Sequence, residues 1–193
     1  TAVTPTGENV TSTGKQGKVQ TGTPKFTEGD AEVPLKVDAD QPAKFVVNGT
    51  AVEETTIDAI KDGAKVGTYA INPLTGEVTF TPNKDFVGTP EAVTVQVKDE
   101  NGTTATAKYT PTVTAVTPTG EDATSTDVQG KTQTGKPTFT EGDAEVPLDD
   151  RVPATFEDGT TEKVIAGVGA FTVAPDGTIT FVPEASFTGE APL

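Results

Sequence analysis

Carboxylates are the side chains of this chain best suited to chemistry. Glu28, Asp30 and Glu32 stand at alternate positions, and the same trio returns as Glu141, Asp143 and Glu145. Asp38 and Asp40 follow the first trio, and Asp149 and Asp150 follow the second. Alternating carboxylates could offer oxygens to Ca2+, which takes about six to eight of them. No stretch carries the D-x-[DN]-x-[DN]-G loop signature. The clusters therefore read as a solvated strand edge whose charge resists edge-to-edge pairing. Paired carboxylates also hydrolyse glycosidic bonds. That chemistry needs a cleft, and sugar sites favour aromatic platforms. The chain has no Trp, and its tyrosines are Tyr69 and Tyr109 alone.

The absent residue types exclude more than the present ones suggest. There is no His, the commonest general base and metal ligand, and no Cys. A Ser-His-Asp triad or a Cys-His pair cannot be assembled. No disulfide or thiolate metal site is possible. No catalytic, cofactor-binding or metal-ligating residue is assigned, no cofactor is expected, and the chain reads as a non-enzyme. A Lys–Asn crosslink would be an alternative covalent clamp. The five Asn (Asn9, Asn48, Asn72, Asn83 and Asn101) all lie in the first 113 residues, so such a bond cannot recur along the chain. A Lys–Asp bond stays open. Asn9, Asn48 and Asn101 each begin an N-x-T sequon, a pattern common by chance in Thr-rich sequence.

The elements that position these residues must be built from an unusual composition. Hydrophobic residues are 33% of the chain, and about one residue in five is Thr. β-Branched abundance favours strands and half-solvated sheet faces, and 20 Gly with 15 Pro punctuate them densely. The net charge of −15 repels phosphate backbones and anionic lipid, so neither nucleic acid nor membrane insertion is expected. No stretch is long and apolar enough to span a bilayer. No export signal is expected within these residues; targeting segments of an exported parent would lie outside them.

The strongest signal is internal repetition. Thr1–Gly7 (TAVTPTG) returns as Thr114–Gly120, and Phe26–Leu35 (FTEGDAEVPL) returns letter for letter as Phe139–Leu148. The offset is 113 residues there and 101 further on, where Tyr69–Pro73, Gly76–Phe80 and Phe86–Gly88 match Phe171–Pro175, Gly177–Phe181 and Phe187–Gly189. The first copy thus carries 12 extra residues, mostly between Val46 and Val66. A period above 100 residues is the size of a small domain rather than a solenoid unit. The expected organisation is a first complete repeat over 1–113 and a second over 114–193, truncated at its C-terminal strands.

Within a copy, Tyr69 and Ile71 alternate with polar neighbours, as do Val78 and Phe80, around the turn Asn72–Gly76. This predicts a hairpin. Val93, Val95 and Val97 alternate before Asp99–Gly102, and Ala105, Ala107 and Tyr109 alternate after it, predicting a second. Val52–Ile60 reads as one or two helical turns, with Ile57 and Ile60 on one side. The openings Thr1–Thr23 and Thr114–Lys136 are almost free of apolar residues and are expected to be extended, loosely packed or linker-like. The fold class is all-β: tandem Ig-like β-sandwich domains joined end to end, with minor helical decoration in the first copy.

The order TPTG, TSTG, QGK, QTG, FTEGDAEVPL, then DGTTEK, then PDGTITF and SFTGEA resembles the CshA-type fibril repeats of streptococcal cell-wall-anchored fibrillar surface adhesins. The motifs run through Thr117–Gly120, Gly130–Gly135, Phe139–Leu148, Phe156–Lys163 and Phe171–Gly189, and through both ends of the first copy. Between Val46 and Val66 the first copy departs from that pattern. The resemblance implies a secreted protein attached to the wall of a Gram-positive bacterium. Its repeats would form a stalk projecting a separate ligand-binding region toward a host matrix protein.

Two readings follow. In the first, the repeats are structural, and their partners are neighbouring repeats of the same chain with possible homotypic contacts. The first copy holds 10 basic and 15 acidic residues and the second 4 and 14, so neighbours repel one another. In the second, the repeats themselves bind a host matrix protein, a glycan or one another through a sheet edge. A second copy lacking its last strands is expected to be less ordered than the first, or to dimerise through the exposed edge.

Overall fold

The computed structural model describes residues 1–193. The chain is all-β and divides into two compact units, Thr1–Val116 and Thr117–Leu193.

The alternation read from sequence becomes two facing sheets in the first unit. One has the order β3(Gln20–Gly22), β10(Val78–Pro82), β9(Ala64–Ile71), β8(Thr56–Lys61). The other runs β2(Val10–Lys15), β12(Thr104–Thr114), β11(Val93–Asp99), β6(Lys44–Val47), β7(Thr50–Ala51), and β5(Leu35–Lys36) also pairs with β11. A short ribbon joins β1(Thr6–Glu8) to β4(Lys25–Thr27). Tyr69, Ile71, Val78 and Phe80 from the first sheet meet Phe45, Val93, Val95, Val97, Ala105, Tyr109 and Val113 from the second in one buried cluster. The unit is therefore a β-sandwich. Each fully buried Phe or Val contributes roughly 1.5–3 kcal/mol relative to exposure.

Both expected hairpins form. In β9–β10, Asn72 N–H donates to Glu77 O (2.8 Å), and Gly76 takes the positive φ (79°) that closes the turn. In β11–β12, Asp99 Oδ1 accepts from the amides of Asn101 and Thr103, each at 2.9 Å.

Two expectations are corrected. Val52–Ile60 holds no helix. It enters strand β8, which pairs with β9 through a turn at Asp62-Gly63, both at positive φ (51° and 79°). Thr55, Thr56 and Ile57 are β-branched and lose χ1 freedom in a helix. As a strand, the segment half-buries Ile57, buries Ala59 and pairs the free edge of β9. Thr1–Thr23 is not loose either, for it supplies β1, β2 and β3 to the ribbon and to both sheets. What secures it is backbone pairing rather than apolar burial. β12 runs to Thr114, and Val116 N–H donates to Gln16 Oε1 (3.3 Å), so residues 114–116 pack with the first unit.

The second unit repeats one sheet in the same order: β14(Gln133–Gly135), β18(Ile179–Pro183), β17(Gly169–Val173), β16(Glu162–Ile165). The ribbon recurs as β13(Thr119–Glu121) with β15(Thr138–Thr140). Phe171 stacks on Phe181 at 4.6 Å, and Phe187 meets Phe181 edge-on at 6.2 Å. Residues 122–128 form no strand. Their counterparts in the first unit include β2, whose partner β12 has no counterpart among the 193 residues.

Candidate load-bearing site

The acidic trios lie in two separate turns. No group of three or more Asp or Glu has metal-binding geometry. Nor do the trios line a strand edge. Each makes a tight turn closed by an isolated bridge, Asp30 to Val33 and Asp143 to Val146. In each, the Asp Oδ1 accepts the amide two residues on (2.8 Å). Asp38 and Asp149 likewise accept backbone amides of their own loops. The asparagines serve the backbone too. Asn9 Oδ1 accepts from Lys108 N–H, Asn83 Nδ2 donates to Lys65 O, and Asn72 Oδ1 accepts from Leu74 N–H. Asn48 and Asn101 occupy turns.

The arrangement that gathers polar side chains inside the first unit lies elsewhere, where β2 meets β12. These two strands run parallel, paired from Val10–Tyr109 to Lys15–Thr114. The ladder is prolonged at both ends. Lys108 N–H donates to Asn9 Oδ1 (2.8 Å) at the start, and Gln16 N–H donates to Thr114 O (2.9 Å) at the finish. Pro111 sits within β12 without an amide to give. It falls between the last β11 pair, at Tyr109, and the mutual Val113–Gly88 hydrogen bonds, so that side of β12 needs no donor there.

Side chains tie this ladder to the opposite sheet. The hydroxyls of Tyr109 and Ser12 lie 2.5 Å apart. Ser12 Oγ donates to Gln20 Oε1 (2.6 Å), and Gln20 Nε2 donates to Thr112 O (3.0 Å). With Ser12's one proton given to Gln20, Tyr109 is the donor to Ser12. The relay leaves β12 at Tyr109, crosses β2 and β3, and returns to β12 at Thr112. Buried polar groups are costly unless satisfied, and a closed relay satisfies all of these. Burial pushes the Tyr109 phenol above its ordinary 10.0, against the opposing effect of the Ser12 hydrogen bond. Burial, then the neighbouring Tyr109 and Glu91, push Tyr69 higher still. Both phenols remain neutral donors at physiological pH; Tyr69 gives its proton to Glu91 O (2.8 Å). Gly22 makes room for the Tyr109 ring, which closely contacts any Cβ placed there.

The arrangement is a hydrogen-bonded clasp that joins β2, β3 and β12. Tension applied along the chain would enter β2 at its first residue and leave β12 at its last. In parallel neighbours those two ends are pulled in opposite directions along one axis. The ladder bonds are then sheared together instead of being peeled one after another. The sequence contained one signal for this site: Ser12 and Gln20 recur eight residues apart as Ser125 and Gln133. The second pair also bonds, Ser125 Oγ to Gln133 Oε1 at 2.6 Å. Sequence reasoning took these residues only as part of a motif and assigned them no role.

The family described as the surface adhesin CshA repetitive domain matches residues 2–113 and again residues 115–193. The chain belongs to that family. It is accordingly a repeat region of a surface adhesin, exposed outside the cell. No helix is long and apolar enough to cross a membrane. No curated protein matches the chain in sequence. Among solved structures it is similar to the N-terminal eight Ig domains of Down Syndrome Cell Adhesion Molecule (10% identity, TM-score 0.36, covering 95% of this chain and 24% of that one). It is also similar to protocadherin gamma B7 cadherin domains 1–4 (12%, 0.35, 94% and 41%) and Sidekick-1 immunoglobulin domains 1–4 (14%, 0.32, 93% and 42%). The chain thus spans less than half the length of each of these structures.

Proposed function

We propose that the chain is a stalk segment of a fibrillar adhesin, made of tandem Ig-like sandwich repeats joined end to end. The stalk is anchored to the wall of a Gram-positive, streptococcus-like cell. It carries a separate head toward host matrix proteins or neighbouring bacteria, and so serves adhesion and biofilm formation. Its own partners are adjoining repeats, and it performs no catalysis. The single observation that carries this reading is the parallel pairing of β2 with β12, which puts the entry and exit of the first unit into shear.

Single-molecule pulling tests it. Loaded from its termini, the first unit unfolds at high force. Loaded through Glu8→Cys and Lys108→Cys, which flank the Val10–Tyr109 end of the β2–β12 ladder, the ladder unzips and the force falls severalfold. Equal forces in the two geometries would overturn the stalk reading. Saturable attachment of the isolated chain to matrix proteins or glycans would favour the alternative, in which the repeats themselves are the binding surface.

A further inference from the structure

The first unit carries a groove that its inserted residues build. Nine residues connect Phe45 to Thr55, and four connect the counterparts Phe156 and Thr161. The anchors on either side are alike. Ala43 N–H donates to Pro73 O and Ile71 N–H to Thr55 O, both at 2.9 Å. Ala154 N–H donates to Pro175 O (3.1 Å) and Val173 N–H to Thr161 O (3.0 Å). In the second unit the short connection turns back at once, Phe156 N–H donating to Thr160 O (2.8 Å). In the first the longer connection forms β7 and the run Val52–Glu54. A groove of about 410 Å³ is lined by that run together with Ala43, Ile71, Pro42, Pro73 and Leu74. Ala43 and Ile71 are buried, whereas Leu74 is 56% exposed. Such a volume suits a small ligand or a few side chains. No aromatic residue lines the groove, so it lacks the platform a sugar would use. Its charge is one-sided. Lys44 Nζ holds Glu53 Oε1 (2.6 Å), and the exposed carboxylate of Glu54 is left without a cation. Beside the groove, β7 is the outermost strand of its sheet, so its far edge is unpaired.

We propose that this groove binds an extended peptide segment of a partner protein, one that presents aliphatic side chains next to a Lys or Arg. The aliphatic group covers Leu74, Val52 and the two prolines. The cation sits at Glu54, and the net charge of −15 draws basic partners and repels acidic ones. The peptide backbone pairs along the free edge of β7, which supplies affinity that does not depend on side chains. Apolar contact and charge then choose the segment. The second unit has no counterpart of the Val52–Glu54 run, so the binding belongs to the first unit alone. None of the lining residues comes from β2 or β12. The proposal therefore does not depend on whether the chain bears load, and the pulling experiment and the binding experiment fail separately.

The test titrates the full, 15N-labelled chain with the peptide Gly-Thr-Val-Leu-Lys-Thr-Gly, blocked at both ends, and follows amide shifts. The expected result is saturable movement confined to residues 39–44, 50–55 and 71–74. Glu54→Gln should weaken binding about threefold, the range of an exposed ion pair. Leu74→Ser should weaken it about fivefold through lost apolar contact. Both side chains are exposed, so the free chain should keep its spectrum elsewhere. A peptide with Glu in place of Lys should bind the chain poorly and regain affinity for Glu54→Lys. Absence of saturable movement overturns the proposal. So does equal binding of the Lys and Glu peptides, or binding indifferent to Leu74→Ser. Movement of the same amides on concentrating the chain without peptide would make a second copy the occupant and overturn the assignment as well.

Discussion

Ser12 and Tyr109 bring their hydroxyls to 2.5 Å although 97 residues separate them in the chain. That contact ties β2 to β12, the strands nearest the two ends of the first unit that pair with each other. Tyr109→Phe removes one hydroxyl and keeps the ring over Gly22, with Ser12 still bonded to Gln20. The expected loss is about 0.5–1.5 kcal/mol, read as a lower urea midpoint at unchanged m-value. Ser12→Ala leaves both the Tyr109 hydroxyl and Gln20 Oε1 without this partner, and should cost more, about 1–3 kcal/mol. Because the two act in one relay, the double variant should fall short of the sum. An additive double variant would show that the relay is not a unit.

High pH should loosen the same unit. The phenols of Tyr69 and Tyr109 hold their protons above the ordinary 10.0, chiefly because burial disfavours phenolate. Unfolded tyrosines release theirs near that value. The stabilisation is therefore complete below pH about 10 and is lost as pH rises beyond it, where the unfolded chain binds fewer protons than the native one. Thermal melts from pH 8 to 11 should show a flat midpoint and then a fall. Tyr109→Phe should make the alkaline fall shallower, whereas an unchanged pH profile would mean that the phenols do not govern it.

Asp99 offers a sharper contrast. It is fully buried, Oδ1 accepts two amides at 2.9 Å, and Oδ2 has no partner. Asp99→Ala orphans the Asn101 and Thr103 amides and should destabilise the first unit by about 2–3 kcal/mol. Asp99→Asn keeps an Oδ1 acceptor for the Asn101 and Thr103 amides, so it should cost less than half as much. Equal losses in chemical denaturation would show that acceptance of the two amides is not what Asp99 contributes.

How far the sequence could be read depended on where each element draws its stability. The hairpins β9–β10 and β11–β12 were legible because Tyr69, Ile71, Val78 and Phe80, or Val93, Val95 and Val97, alternate beside Gly turns. Strand β8 was not, since Ile57 and Ile60, three residues apart, fit a helical face but fall on opposite faces of a regular strand, and only a bulge between Ala59 and Ile60 reconciles them. The turn that decides the matter, Asp62-Gly63, lies just beyond the segment. The Ser12–Gln20–Tyr109 relay was invisible for a deeper reason. Residues 10–15, VTSTGK, have almost no hydrophobic period, and they become a strand only because β12 lies beside them. Repetition marked Ser12 and Gln20 as worth keeping, but not what they touch.

The two units should differ in local stability although they share one sheet plan. Phe80 and Val78 lie under a second sheet in the first unit, while their counterparts Phe181 and Ile179 remain partly exposed. Local opening free energy follows buried apolar contact and protected backbone bonds. The expected outcome of amide exchange on the whole chain is therefore slow exchange in β10, β11 and β12 and markedly faster exchange in β17 and β18. Thermal melting should resolve two transitions, the second unit first. Phe80→Ala should move only the later one, by the equivalent of about 3–5 kcal/mol, and Phe171→Ala only the earlier. One transition shifted by both substitutions would mean that the units fold as one body, and tension could not then unfold them separately.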